Sequence, residues 1–195
     1  MFSKMKSDNK ILCEKVFFIS LFCLILLLPT RGYAQELNFE LLKAAQAGDT
    51  VAVKSLLVKG ADVNARDELT NTALNCAIQN NKTDCVITLL DNGADVNEKN
   101  YSGYPPLVLA TCKGNAEMVK VLLEKGADVN GRDPYDWTAL MNAVYLNNVE
   151  MVKMLLNKGA DVNAKNYMGR SALFMAESLG RSEIEPVLKV AGAKK

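Results

Sequence analysis

Two patterns of apolar positions divide the chain. Val16 to Leu28 is a run of 13 residues without a charge, VFFISLFCLILLL. From Leu37 onward the apolar residues come in short clusters separated by polar turns. In one stretch, Leu107, Leu109 and Ala110 share a helical face within Pro105 to Lys113, and Pro106 suits a first helical turn. Gly114-Asn115 ends that helix. A second helix is expected over Glu117 to Glu124, with Met118, Val119, Leu122 and Leu123 on its apolar side. Gly126 is placed to end it in the left-handed conformation.

The same arrangement recurs. Gly-Ala-Asp-Val-Asn stands at 60–64, 93–97, 126–130 and 159–163, always 33 residues apart, and Gly192-Ala193 continues the register. Thr72-Ala73-Leu74, Pro105-Pro106-Leu107, Thr138-Ala139-Leu140 and Ser171-Ala172-Leu173 keep that period. So do Leu56-Leu57, Leu89-Leu90, Leu122-Leu123 and Leu155-Leu156. The residue between the helices is Gly48, Gly114 or Gly180 in three copies and Asn81 or Asn147 in two. Both types tolerate positive φ, which points to one shared backbone.

On these residues the sequence resembles the ankyrin repeat family, over about Leu37 to Ala193. The resemblance implies an all-α solenoid of five stacked repeats, each a β-turn followed by a helix-turn-helix, with polar caps at both ends. The expected boundaries are 35–66 for the N-terminal capping repeat, 67–99, 100–132 and 133–165 for the central ones, and 166–195 for the C-terminal cap. Lys43, Glu185 and Lys189 stand at positions that are apolar in the middle of the array, as solvent-facing ends require. Pro186 falls early in the last helix, at some expense of stability. The family's His after its TPL triplet is replaced by Asn75, Val108, Met141 and Phe174. Its turn Gly is present as Gly103 and Gly169 but is Thr70 and Asp136 elsewhere. Thr88 occupies an apolar position, so the second repeat is expected to be the least stable of the central three.

The first 34 residues follow a different logic. Lys4, Lys6, Lys10 and Lys15 precede the uncharged run, Pro29 breaks it, and Gly32-Tyr33-Ala34 supplies small residues at the first and third positions. This order predicts a secretory signal peptide over 1–34, cleaved between Ala34 and Gln35. Thirteen residues are short for a membrane span. Export implies a periplasmic or secreted protein, and the resemblance extends to small periplasmic ankyrin proteins of Gram-negative bacteria.

Charge and composition then narrow the function. Lys+Arg number 23 and Asp+Glu 22 over 195 residues. Residues 1–34 hold five basic and two acidic side chains, so the rest carries a net charge of −2. That balance argues against nucleic acid or a charged membrane surface as partner. There is no His. A Ser-His-Asp or Cys-His catalytic arrangement and a His-ligated metal are therefore excluded. Glycine-rich phosphate loops are also missing from the sequence. No enzyme activity, cofactor or metal is expected. Glu183 and Glu185 are read as a solvated helix start.

Aromatic placement carries the functional expectation. In this family, partners contact the turn tips and the exposed side of the first helix. Tyr101, Tyr104, Tyr135, Tyr145, Tyr167 and Trp137 all map to that face, joined by Arg132 and Arg170. Tyr, Trp and Arg dominate interface energetics, and the Leu/Val/Met/Ala core does not call for these rings. The expected function is an exported module, a monomer, that binds a folded protein through this face. Its role would be that of scaffold, inhibitor, immunity factor or stress-protective partner. A secreted effector engaging a host protein is the alternative. A thiol redox protein using Cys112 or the Cys76 and Cys85 pair is a weaker one. Cys76 and Cys85 are read as small buried hydrophobes, with a disulfide between them left open.

Overall fold

The computed structural model describes residues 32–194. Residues 1–31, which include most of the expected signal peptide, lie outside the described residues, as does Lys195. Ala34 and Gln35 lie exposed in the opening turn of the first described helix, which runs over 32–47.

Ten helices form five antiparallel pairs among the described residues. The inner helices are α1 (32–47), α3 (Ala73–Gln79), α5 (Pro106–Cys112), α7 (Ala139–Tyr145) and α9 (Ala172–Ser178). The outer ones are α2 (Thr50–Val58), α4 (Thr83–Asp91), α6 (Ala116–Glu124), α8 (Val149–Asn157) and α10 (Ile184–Val190). From α3 onward each inner helix packs on the next inner helix, and each outer helix on the next outer one. The result is the expected two-layered all-α solenoid. Short antiparallel bridges, Arg66 with Thr72, Arg132 with Thr138 and Lys165 with Ser171, close a β-turn finger before the corresponding inner helix.

Sequence chemistry sets the helix ends. Thr72, Thr138 and Ser171 turn out to be N-caps, their hydroxyls accepting from the N–H groups of Asn75, Met141 and Phe174 at 3.3, 3.3 and 3.2 Å. Asp49, Asn115 and Asn148 cap α2, α6 and α8 in the same way, each at 2.9 Å. Such caps satisfy donors that a helix cannot satisfy internally. The outer helices end in the Gly-Ala of each GADVN. Gly60 has φ 95°, and Ala61 N–H donates back to Leu56 O at 3.0 Å. That closes a Schellman turn and buries the Ala.

α10 is two residues shorter than the other outer helices and starts later in the register. Pro186 explains this, since it lacks the N–H that would donate to Ser182 O and extend the helix backward. The ends are polar as expected: Lys43 is exposed and paired with Glu40, and Lys189 pairs with Glu185.

The core is continuous through the array. Leu41, Leu74, Leu107, Leu140 and Leu173 are at most 2% exposed, and Ala77, Ala110, Ala143 and Ala176 are fully buried beside them. Alanine at that position lets neighbouring helices approach closely. Val86, Val119 and Val152 with Leu89, Leu122 and Leu155 fill the second layer.

A side-chain ladder links the repeats outside this core. The Asn of each GADVN accepts the backbone N–H of the following repeat: Asn64 from Asp95 at 2.9 Å, Asn97 from Asp128, Asn130 from Asp161 and Asn163 from Lys194, each at 2.8 Å. Asn38 starts the ladder by accepting from Asp62 N–H. Amide groups of Asn64, Asn130 and Asn163 also donate to Gly93 O, Gly159 O and Gly192 O. The Asp of each GADVN folds its own turn by accepting the N–H two residues on.

Repeat two concentrates local weaknesses. Thr70 is held at φ 63°, a costly setting for a β-branched residue. Lys82 gives α4 no side-chain cap, and Thr88 is buried in the outer layer.

Two outcomes follow. Asn97→Ala removes one ladder rung and should cost about 1 kcal/mol in urea unfolding, whereas Glu124→Ala on the exposed outer surface should stay within about 0.5 kcal/mol. Thr70→Gly should stabilise the array by about 1 kcal/mol, relief of backbone strain exceeding the greater freedom of unfolded glycine. A loss of stability in that variant would show that Thr70 is not strained.

Candidate protein-interaction face

The finger tips are built by one residue type per repeat. Asp67, Asn100, Asp133 and Asn166 each accept two backbone N–H groups, two and four residues on. In repeat four these are the N–H groups of Tyr135 at 2.8 Å and Trp137 at 2.9 Å. The carboxylate of a nearly buried Asp133 therefore fixes the backbone that carries two of the aromatic side chains. Their turn-forming role was not read from the sequence. The signal was there, as Asp or Asn recurring at 33-residue spacing immediately ahead of a turn.

Neighbouring fingers also fix one another. Tyr167 N–H donates to Tyr135 O at 3.2 Å, and Tyr101 N–H to Asn71 Oδ1 at 3.4 Å. Lys99 Nζ donates to Arg132 O at 3.1 Å, and Arg132 donates to Lys165 O at 3.0 Å. At the tip of repeat three, a Cβ on Gly103 would come within 2.9 Å of Pro134 Cγ, and its φ of 80° independently favours glycine. Asp136 takes the corresponding position in repeat four at φ 58°.

All the residues expected to form the face lie along the fingers and first helices, but at different depths. Tyr101, Tyr135, Tyr145 and Tyr167 are 61%, 53%, 54% and 58% exposed. Arg170 is exposed with its guanidinium over the Phe174 ring, 5.5 Å from the centroid. Tyr104 and Trp137 are different. Both are half-buried and pack against the core, which corrects the expectation that none of the rings is needed there. Each follows a finger tip and leads into an inner helix, where a large side chain fills the gap between finger and core. Arg132 is also only partly available, with one N–H already committed to Lys165 O.

The rings of repeats four and five form one continuous surface. Tyr135 and Tyr167 have centroids 5.8 Å apart with planes inclined at 51°. Trp137 meets Tyr145 edge-on at 6.0 Å. Together with Arg170 and Phe174 they line an open groove of about 410 Å³. Tilted and edge-to-face pairs are favoured by the ring quadrupole, so the walls support one another.

Cys76, Cys85 and Cys112 are all free, so Cys76 and Cys85 are not joined by a disulfide. Cys85 is buried beside Thr50 Oγ1 at 3.4 Å, as a small core residue, while Cys76 is half-buried. Burial, with a contribution from Asp67, pushes the Cys76 thiol up to about 11. Cys112 is exposed as a residue, yet local desolvation and then Asp133 raise its thiol pKa too. Raised pKa values leave little thiolate, the form that attacks disulfides and peroxides. Tyr104 is likewise raised by desolvation, then by Asp133.

Comparison with known proteins gives the family. A family model described as ankyrin repeats (three copies) matches residues 41–133 and again 130–194. The chain belongs to the ankyrin repeat family. An ankyrin repeat protein of Rickettsia felis (strain ATCC VR-1525 / URRWXCal2) is 44% identical over 55 residues, covering 27% of this chain and 83% of its own length. A second from the same strain is 46% identical over 43 residues, covering 22% of this chain and 68% of its own length. The ankyrin array is a protein–protein interaction module, of a family whose members are typically not enzymes. Among the described residues no helix is long and apolar enough to cross a membrane.

The Cys76 environment has a direct readout. Its alkylation by iodoacetamide should climb about tenfold per pH unit from pH 8 and level off near 11 rather than near the ordinary 9.0. Asp67→Asn should bring that midpoint down. The folded state holds this proton more tightly than the unfolded chain, so the thiol's contribution to stability is full below 9.0 and is lost as pH rises to about 11. A plateau near 9.0 would remove both inferences.

Proposed function

We propose that this ankyrin array is an exported protein that docks a folded protein partner through the aromatic face of repeats three to five. The observation that carries the proposal is the groove walled by Tyr135, Trp137, Tyr145 and Tyr167. Four tyrosines on that side are more than half exposed, although the core is complete without them. Solvent-exposed rings whose backbones are fixed by hydrogen bonds lose little entropy on binding, which is what a preformed interface requires. The finger of repeat two offers Glu68 and Leu69 in place of rings, so the partner is centred on the C-terminal half.

Export rests on the charged opening, the uncharged run and the Gly32-Tyr33-Ala34 sequence. It places the array in the periplasm or outside the cell. Scaffold, inhibitor, immunity factor and stress-protective partner are all roles that such a face can serve. The partner's own activity, measured with and without the array, separates them.

The test uses the full chain in its producing cell, with a photocrosslinking benzoylphenylalanine in place of Tyr135 and, as control, of Lys120 on the outer helix layer. A discrete protein adduct is expected from position 135 and not from 120. It should disappear when Tyr101 and Tyr167 are changed to Ala, while unfolding free energy shifts by no more than about 1 kcal/mol, since both side chains are exposed. Trp137 is left intact because its loss would disturb packing. The mass of the recovered chain should correspond to a start at Gln35, and the cell fraction that holds the adduct separates periplasm from medium. Equal labelling from both positions, or none from either, overturns the docking proposal. An unprocessed chain overturns the export proposal.

A further inference from the structure

The aromatic groove has a charged border, and its sign points to the chemistry of what it takes. The last position of each repeat unit is basic four times in succession: Arg66, Lys99, Arg132 and Lys165. Hydrogen bonds from Lys99 to Arg132 O and from Arg132 to Lys165 O show that these side chains line one edge of consecutive fingers. Their compensation differs along the array. Arg66 is paired with Glu98 at 2.9 Å, at the N-terminal end, where its neighbours are Phe39, Glu68 and Leu69 and not the clustered tyrosines. Arg132 meets only Asp136, at 3.9 Å. Among the described residues, Lys99, Lys165 and Arg170 have no carboxylate within ion-pair distance.

Arg170 is the most informative of these. It lines the groove, lies over the Phe174 ring and keeps no protein carboxylate on its guanidinium. A guanidinium that is stacked on an aromatic ring is oriented in advance and presents its N–H fork for bidentate pairing. Asp133, on the same face, has its Oδ1 occupied by backbone N–H groups and is nearly buried. The positive border therefore persists although residues 35–195 as a whole carry a net charge of −2.

We infer that the groove takes an acidic, extended segment of a protein partner. A large apolar side chain would sit between Tyr135, Tyr145, Tyr167 and Phe174, and a neighbouring carboxylate would pair with Arg170 and the Lys165 side of the fingers. This rests on the docking role proposed above and names its partner's chemistry. Single-stranded nucleic acid also favours cations beside aromatic rings. The rings here are less suited to it. They meet one another at 51° and 79° rather than forming a row of flat platforms, and two of the four basic side chains along the edge already bond to backbone.

The inference is tested by panning a phage-displayed library of random dodecapeptides against the full chain carrying a C-terminal tag. Enriched peptides should combine a large apolar residue with Asp or Glu nearby. Arg170→Gln should weaken a selected peptide about tenfold, Lys165→Glu with Arg170→Glu should weaken it further, and affinity should fall with added salt. Circular dichroism melts of each variant show whether the fold is intact. Peptides that need Tyr135 and Tyr167 but carry no acidic bias would overturn this inference and leave the docking role standing. Peptides indifferent to both the rings and the charges, or no enrichment at all, would overturn this inference, and the crosslink from position 135 then decides the docking role by itself. Tight binding of oligodeoxythymidylate that competes with the peptides would replace a protein segment with nucleic acid.

Discussion

Helices of seven and nine residues cannot hide their apolar faces within one pair, and the architecture follows from that constraint. Isolated helices of this length are marginal in water, so they persist because each layer continues into the next repeat. Leu107 is buried because repeats two and four flank it, and Leu41 and Leu188 are still buried near the ends, where charged pairs such as Lys43 with Glu40 and Lys189 with Glu185 take the solvent-facing positions. The Asn ladder adds direction to this non-directional burial. Hydrophobic contact tolerates sliding, whereas an amide that accepts from one backbone N–H in the next repeat sets a single register. The 33-residue period is thus held twice, by packing inside and by hydrogen bonds outside.

Much of this was legible in the sequence, for a physical reason. A position that must adopt positive φ restricts its residue type strongly, so Gly60, Gly93, Gly126 and Gly159 announce the helix ends without any knowledge of contacts. The substitution of Asn81 and Asn147 for glycine was readable by the same rule, and both residues have φ 57°. What could not be read was how a polar side chain reaches across repeats. Asn97 and Asp128 are 31 residues apart, and nothing in their local sequence distinguishes a bridging Asn from an ordinary turn Asn.

The candidate face shows the same limit. Spacing placed all six rings on one side, because repeat position determines direction. Depth depends on what stands behind each ring. Tyr101 and Tyr104 are three residues apart, yet one is exposed and the other packs on the core, because Tyr104 leads directly into α5 while Tyr101 sits at the tip. Trp137 repeats that geometry one unit on. Cysteine depth was similarly ambiguous: the reading as a small buried hydrophobe suits Cys85, but Cys76 is only half-buried in its inner helix.

Recognition and stability are therefore carried by different residues of the same finger. Asp133 uses its carboxylate inward, on the N–H groups of Tyr135 and Trp137, and Trp137 uses its ring against the core. Tyr135, one step away on the same turn, contributes little to burial and points its ring toward Tyr167 of the next repeat. A change at Tyr135 or Arg170 alters what the surface offers while the turn below keeps its hydrogen bonds. A change at Asp133 would move both rings together. This division lets a repeat protein vary its partner without rebuilding its core, and it explains why the most exposed rings, rather than the largest, are the ones to examine for binding.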